Sequence, residues 1–171
     1  MLHPAQRFAL AFLLFTAAVA VVPLRAQSPS SFPKEKPAFT VTVPAGFRVD
    51  YATPPGKLLM TVDSADGVSS FSVETLPEDA GVEDEEGAKA ALTKLIEADL
   101  AKQRFTAVTC SEPTVTTVAG HKAFSTKVSA TYHERPYANE FTMFTPDGAT
   151  YFLANCKDKG AAVLASIKPA P

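Results

Sequence analysis

The sequence contains few of the residues from which catalytic and metal centres are usually built. Its 171 residues include no tryptophan, two cysteines and three histidines, of which His3 lies in the N-terminal segment. The G-x-S-x-G pattern of many hydrolases and the H-E-x-x-H pattern of zinc proteases do not occur. The eight glycines are scattered and form no phosphate-binding loop. We therefore expect a non-enzymatic protein without a cofactor, and an unrecognised hydrolase is the less favoured alternative.

The sequence also lacks an excess of basic charge. Without Arg7 and Arg25, which lie in the N-terminal segment, the 16 basic residues fall to 14, against 18 acidic residues. Proteins that bind nucleic acid concentrate positive charge on one surface. A nucleic-acid partner is therefore not expected.

Beyond residue 22 the sequence has no long apolar run. The run at residues 8–22 is about 15 residues long, which is shorter than the roughly 20 needed to span a bilayer. It follows His3 and Arg7 and leads into small residues, which is the order of a cleavable export signal. We predict a signal peptide at residues 1–26, with cleavage after Ala20 as the alternative site and an uncleaved anchor as the alternative interpretation. The mature protein would then be exported, either periplasmic or secreted, without a membrane anchor.

Residues 27–37 contain three prolines together with serines and charged residues. This composition is typical of a flexible linker. The folded domain is predicted to span residues 38–168.

One long segment, residues 83–104, has the pattern of an amphipathic helix. Apolar residues recur at spacings of three and four, at Ala88, Ala91, Leu92, Leu95, Ile96 and Leu100. Six acidic residues between Glu78 and Glu86 lead directly into this segment, and basic residues close it, as the helix dipole favours. The acidic stretch indicates a solvated helix start, and a functional acidic patch or a weak Ca²⁺ site is the alternative.

Short strands are predicted on both sides of this helix. They are residues 39–43, 57–62 and 68–76 before it, and residues 105–110, 113–118, 121–133, 137–145 and 149–156 after it, followed by a short closing helix at 160–167. Strands that are grouped apart from helices indicate an α+β domain with a mainly antiparallel sheet.

This order of elements resembles the PsbP-like family. The matching segments are FTVTVPAGF, VSSFSVETL, the helix EEGAKAALTKLIEADLAKQ, then TVTTVAGHKAFSTKVSATY, and finally PDGATYFLANC with AAVLASIK. The resemblance covers residues 38–168 and implies an α/β/α sandwich in which the long central helix follows an N-terminal strand unit and precedes a C-terminal meander. It also implies an exported bacterial member of a family of non-catalytic modules, and it maps no functional residue onto this chain.

The two cysteines, Cys110 and Cys156, both fall near the ends of predicted strands. In an oxidising compartment such a pair favours a disulfide. The bond would close a loop of about 45 residues and contribute up to roughly 4 kcal/mol. The alternative is two buried thiols that do not pair.

The turn between two strands of the meander is the candidate binding surface. Its residues are Tyr132, His133, Arg135 and Tyr137, and the expected ligand is a protein partner. A small apolar ligand held between sheet and helix is the alternative. Both His121 and His133 are expected to be exposed turn residues rather than catalytic ones.

A metal site is conceivable only if neighbouring strands converge. It would combine His121, His133, Glu134 and Glu140. Their spacing along the sequence does not support such a site, and no metal is expected.

Overall fold

A computed structural model describes residues 29–32, 38–52, 57–77 and 84–170. The predicted signal peptide at residues 1–26 lies outside the described residues, as do residues 27–28 and 33–37 of the predicted linker. Residues 29–32 of that linker form a strand. No helix in the described ranges is both long enough and apolar enough to cross a membrane.

The described residues form eleven strands and two helices. The strands are β1 (Pro29–Phe32), β2 (Phe39–Thr42), β3 (Phe47–Tyr51), β4 (Leu58–Ser64), β5 (Ser70–Thr75), β6 (Thr106–Cys110), β7 (Thr114–Val118), β8 (His121–Tyr132), β9 (Arg135–Phe144), β10 (Phe152–Lys157) and β11 (Lys168–Pro169), and the helices are α1 (Glu85–Lys102) and α2 (Gly160–Ala165).

The strands form a small sheet and a large one. The small sheet has the order β1-β2-β11, and the large sheet has the order β3-β4-β5-β10-β9-β8-β6, with β7 also paired to β8. Each of these pairings is antiparallel. The prediction of an α+β domain with a mainly antiparallel sheet is confirmed.

Helix α1 follows from its apolar pattern and its cap. The side chain of Asp84 accepts a hydrogen bond of 2.6 Å from the backbone N–H of Gly87, which satisfies a helix-start donor. The buried residues recur every fourth position, at Ala88, Leu92, Ile96 and Leu100. Among the described residues no group of three or more His, Cys, Asp or Glu side chains is arranged to hold a metal; Glu78, Asp79 and Glu83 lie outside them.

The large sheet buries apolar residues on both faces. In β10, Phe152 packs in one core cluster with residues of β2 and α2, whereas its neighbour Leu153 packs in a second cluster with α1. Because successive side chains of a strand point to opposite faces, the two clusters lie on opposite sides of the sheet. Within the first cluster, Phe39 contacts Phe144 and Phe152 edge-on, with ring centroids 5.9 and 5.2 Å away.

Candidate functional site

The candidate surface is the tip of the hairpin formed by β8 and β9, and residues 132–137 are called the hairpin tip below. Tyr132 pairs with Arg135, which leaves His133 and Glu134 as a two-residue loop. Their φ angles are 47° and 62°, as a type I′ turn requires. The turn therefore lies one or two residues earlier than the sequence suggested, because Arg135 and Pro136 already belong to β9.

An aromatic cluster supports the hairpin tip. The ring of Phe105 stacks on Tyr132, with centroids 4.6 Å apart and planes at 28°, and meets Tyr137 edge-on at 4.8 Å. The ring of His133 lies 4.3 Å from that of Tyr132. The structure thus brings together Tyr132, His133 and Tyr137 from the predicted surface and adds Phe105, which the sequence interpretation missed.

Phe105 is placed by the way α1 ends. Arg104 adopts a left-handed conformation with φ of 67°. Its N–H donates to the carbonyl of Ala101 at 3.1 Å, and the N–H of Phe105 donates to the carbonyl of Leu100 at 3.0 Å. These two bonds form a Schellman motif, which commonly brings its last residue into apolar contact with the helix. An aromatic residue directly after the helix was the sequence signal for this contact.

Exposure differs between the members of the hairpin tip. Tyr132 is 42% exposed although it stacks on Phe105. His133 and Arg135 are also exposed, whereas Tyr137 is partly buried. The hairpin tip therefore offers to solvent an exposed tyrosine, whose ring stacks on Phe105, and charged groups of both signs, Arg135 and Glu134.

Tyr137 ties the cluster to the sheet. Its hydroxyl oxygen accepts hydrogen bonds from the side-chain amides of Asn139 at 3.0 Å and Asn155 at 3.2 Å. Asn139 also donates to the Oδ1 of Asn155 at 2.6 Å, and its own Oδ1 is buried without a partner among the described residues. Burial raises the pKa of the Tyr137 phenol, so this group stays neutral near pH 7.

The histidines do not converge with the carboxylates named above. His121 begins β8 and His133 directly follows its end, so roughly 40 Å of extended strand separates them. His121 instead lines a small cavity of about 320 Å³ with Asp84, Lys122 and Tyr151. A metal site that combines both histidines is therefore not formed.

A groove of about 570 Å³ lies beside α2. It is open to solvent and is lined by residues that include Lys127, Val128, Ala138, Glu140, Cys156 and Ala161. The side chain of Ser125 donates to the carboxylate of Glu140 at 2.5 Å and lies 2.9 Å from the Thr142 hydroxyl. The groove therefore combines apolar side chains with polar and charged ones, among them the carboxylates of Glu140 and Asp158.

The predicted disulfide between Cys110 and Cys156 is absent, and both residues are free thiols. Cys110 lies on β6 and Cys156 on β10, and the order of the sheet places β8 and β9 between these strands. Three inter-strand spacings amount to roughly 14 Å, whereas a disulfide joins Cα atoms less than about 7 Å apart. The prediction is wrong because the strand order separates two cysteines that both lie near strand ends.

Solved structures of other proteins resemble this one. The solution structure of cyanobacterial PsbP (CyanoP) from Synechocystis sp. PCC 6803 matches with a TM-score of 0.63 and 10% identity, covering 91% of this chain and 99% of that chain. LpqN of Mycobacterium tuberculosis, described as involved in cell envelope biogenesis, matches with a TM-score of 0.49 and 13% identity, covering 84% and 91%. A putative regulator of unknown function from Pseudomonas aeruginosa matches with a TM-score of 0.41 and 9% identity, covering 85% and 99%.

No protein-family model matches the sequence, and no curated protein matches it either. At an identity of 10% the likeness to CyanoP shows a shared fold only. A shared fold does not imply a shared function. The match extends over nearly the whole of both chains and agrees with the α+β order of strands and helices. The chain therefore has the PsbP-like fold.

Proposed function

We propose that this chain is an exported, non-enzymatic binding or accessory protein that recognises a protein partner through the hairpin tip. The observation that carries the proposal is that Tyr132 is exposed while its ring stacks on Phe105. Tyrosine and arginine are over-represented among the residues that dominate binding energy. A side chain that is already ordered loses less entropy on binding.

The proposal that the chain is exported rests on the signal-like N-terminal segment, residues 1–26. The layered α/β/α arrangement is also part of the proposal, and the apolar clusters on the two sheet faces support it. In such an arrangement α1 ends directly beneath the hairpin tip, which gives the binding surface a helix-anchored base.

The environments of the candidate nucleophiles and bases support a non-enzymatic role. Burial raises the pKa of Cys156 to about 12, and it also raises the pKa of Cys110, so neither thiol is activated as a nucleophile. His121 and His133 lie at opposite ends of β8 and cannot act on one substrate. General acid–base catalysis needs such groups within hydrogen-bond reach of the same proton.

Capture from envelope extract with matched variants tests the proposal. The immobilised wild-type chain is expected to retain a protein partner. Y132A and R135A are each expected to weaken its binding by about 2 kcal/mol or more, which is the loss typical of a hot-spot residue. Lys122→Ala changes an exposed residue at the far end of β8 and serves as the control. Capture of nothing above background, or equal capture by wild type, Y132A and R135A, would contradict the proposal.

A second candidate function is the carriage of a small apolar ligand in the groove beside α2. Its volume of about 570 Å³ lies within the range of about 300–1,000 Å³ typical of ligand sites. Native mass spectrometry of the protein from its natural source would then show added mass. Ala138→Phe, which fills the groove, is expected to abolish that mass, whereas Lys122→Ala is expected to keep it. A bare wild-type chain that also displaces no apolar dye would remove this candidate.

A further inference from the structure

The large sheet has three strand edges within the described part of the chain. They are β3 on one side, and β6 and β7, which both pair with β8, on the other. An exposed edge presents unpaired backbone N–H and C=O groups, which can template pairing with another chain. Natural sheets usually protect such edges with charges, prolines or bulges.

Two of the three edges carry such protection. In β3, Arg48 and Asp50 form an ion pair of 2.9 Å and are exposed by 79% and 51%. In β6, the register shifts between Thr106 and Thr109, and Ala107 between them adopts a φ of 50°. Charge therefore protects β3, and a bulge protects β6.

The third edge, β7, has neither a charged side chain nor a bulge. Its sequence is Thr-Val-Thr-Thr-Val, which contains no charge and consists wholly of β-branched residues. Its register with β8 is unbroken from Thr114 to Val118. Four of the five residues are exposed, and the apolar side chain of Val115 is 48% exposed.

The hairpin turn determines which backbone groups of β7 face outward. Ala119 and Gly120 have φ angles of 54° and 84° and form a two-residue type I′ loop, so Val118 and His121 are the hydrogen-bonded pair that closes it. Hydrogen-bonded and non-hydrogen-bonded pairs alternate along an antiparallel ladder. The outward N–H and C=O groups of β7 therefore belong to Val115 and Thr117.

We propose that β7 pairs antiparallel with β7 of a second copy of this chain, about a twofold axis at Thr116. This register places Val115 opposite Thr117 of the second copy and forms four backbone hydrogen bonds. Thr116 then faces Thr116 of the second copy in a non-hydrogen-bonded pair, where side chains are closest. The large sheets of the two copies become one continuous sheet.

The composition of β7 favours a second copy over another occupant. Each cross-strand pair is uncharged and joins β-branched residues, which pair well across strands. The ladder is limited to the five residues of β7 in each copy. At one end Pro113 cannot donate a hydrogen bond, and at the other the Ala119–Gly120 turn ends the strand. A five-residue ladder buries less surface than the roughly 800 Å² per partner of a stable complex. The association is therefore weak and depends on concentration.

A charge-swap experiment tests this pairing. Sedimentation velocity of the protein purified after export is expected to show a monomer–dimer equilibrium that shifts with concentration. T116K and T116E each place like charges directly opposite one another across the axis and are expected to weaken association by up to about fivefold. An equimolar mixture of T116K and T116E is expected to associate at least as well as wild type. T106K, on the bulged edge, is the control and is expected to behave as wild type.

Amide hydrogen exchange locates the contact. Protection of Val115 and Thr117 is expected to rise with protein concentration in wild type and to stay constant in T116K. A wild-type chain that stays monomeric at its highest soluble concentration overturns the proposal, as does a T116K–T116E mixture that fails to associate. A monomeric chain whose Val115 amide is protected only by a strand of another protein also overturns it and assigns the edge to that partner.

Discussion

The backbone of Gly160 lies directly against the backbone of Ser70. A Cβ atom added at Gly160 would lie 1.8 Å from the carbonyl oxygen of Ser70 and 2.7 Å from its carbonyl carbon. Gly160 is the first residue of α2 and is buried. The helix can therefore lie over β5 only because this position has no side chain.

Gly160→Ala is expected to destabilise the protein strongly. The clash is with backbone, so α2 must move away from β5, and core overpacking costs about 1–3 kcal/mol. We expect a loss near the upper end of that range, measured as a lower midpoint of urea unfolding. Ala162→Ser, on an exposed position of the same helix, is the control. A G160A protein as stable as A162S would contradict the close approach of α2 and β5.

The β8–β9 turn offers a stabilising substitution. His133 and Glu134 both have positive φ angles, which non-glycine residues adopt at a cost of roughly 1 kcal/mol each. Replacing them with Asn-Gly, as H133N with E134G, supplies the preferred residues of a type I′ turn. The free energy of unfolding is expected to rise by about 1 kcal/mol, measured by chemical denaturation.

The matched control for this turn is E134Q, which changes the charge but keeps a side chain in the left-handed conformation. It is expected to leave the free energy of unfolding within about 0.5 kcal/mol of wild type. A double variant that is no more stable than E134Q would show that the turn is not strained.

Local patterns allowed the helix and most strands to be predicted from the sequence. The spacing of Ala88, Leu92, Ile96 and Leu100 was sufficient for α1, because every fourth residue of a helix faces the same side. The β8–β9 hairpin was predicted from two apolar runs, but its turn was predicted one or two residues too far along the sequence. The positive φ angles fall on His133 and Glu134, which are not the residues that usually mark such turns.

The order of strands could not be predicted from the same patterns. Strand β10 lies between β5 and β9 and so joins the two halves of the chain, which is a contact over about 80 residues of sequence. This order separates Cys110 from Cys156. The support of Tyr132 by Phe105 was missed for a similar reason, because it depends on where α1 ends relative to a distant hairpin.

Glu74 is expected to make stability depend on pH. Its carboxylate lies 2.9 Å from the ammonium group of Lys57, yet burial raises the pKa of Glu74 by more than Lys57 lowers it. A group whose pKa is higher in the folded state favours folding when it is protonated. Stability from this group is therefore lost as pH rises through the folded pKa.

Glu74→Gln removes this ionisation. The stability of E74Q relative to wild type is expected to increase as pH rises from about 3 to 7, because only wild type then acquires a buried charge. Thermal unfolding at a series of pH values measures this difference. A relative stability of E74Q that falls with rising pH would contradict the effect of burial on Glu74.

The two thiols are expected to differ in reactivity and to remain unlinked. Cys156 is 3% exposed and its pKa is raised to about 12, so a maleimide reagent should label it only after unfolding. Cys110 is partly buried, and its pKa is raised by burial and by the charge of Glu97, so it should react slowly in the native state. Mass spectrometry after timed labelling of wild type and C110S distinguishes the two sites. A monomer whose mass rises by two hydrogens on reduction would require β6 to leave β8, and it would contradict the strand order that separates these cysteines.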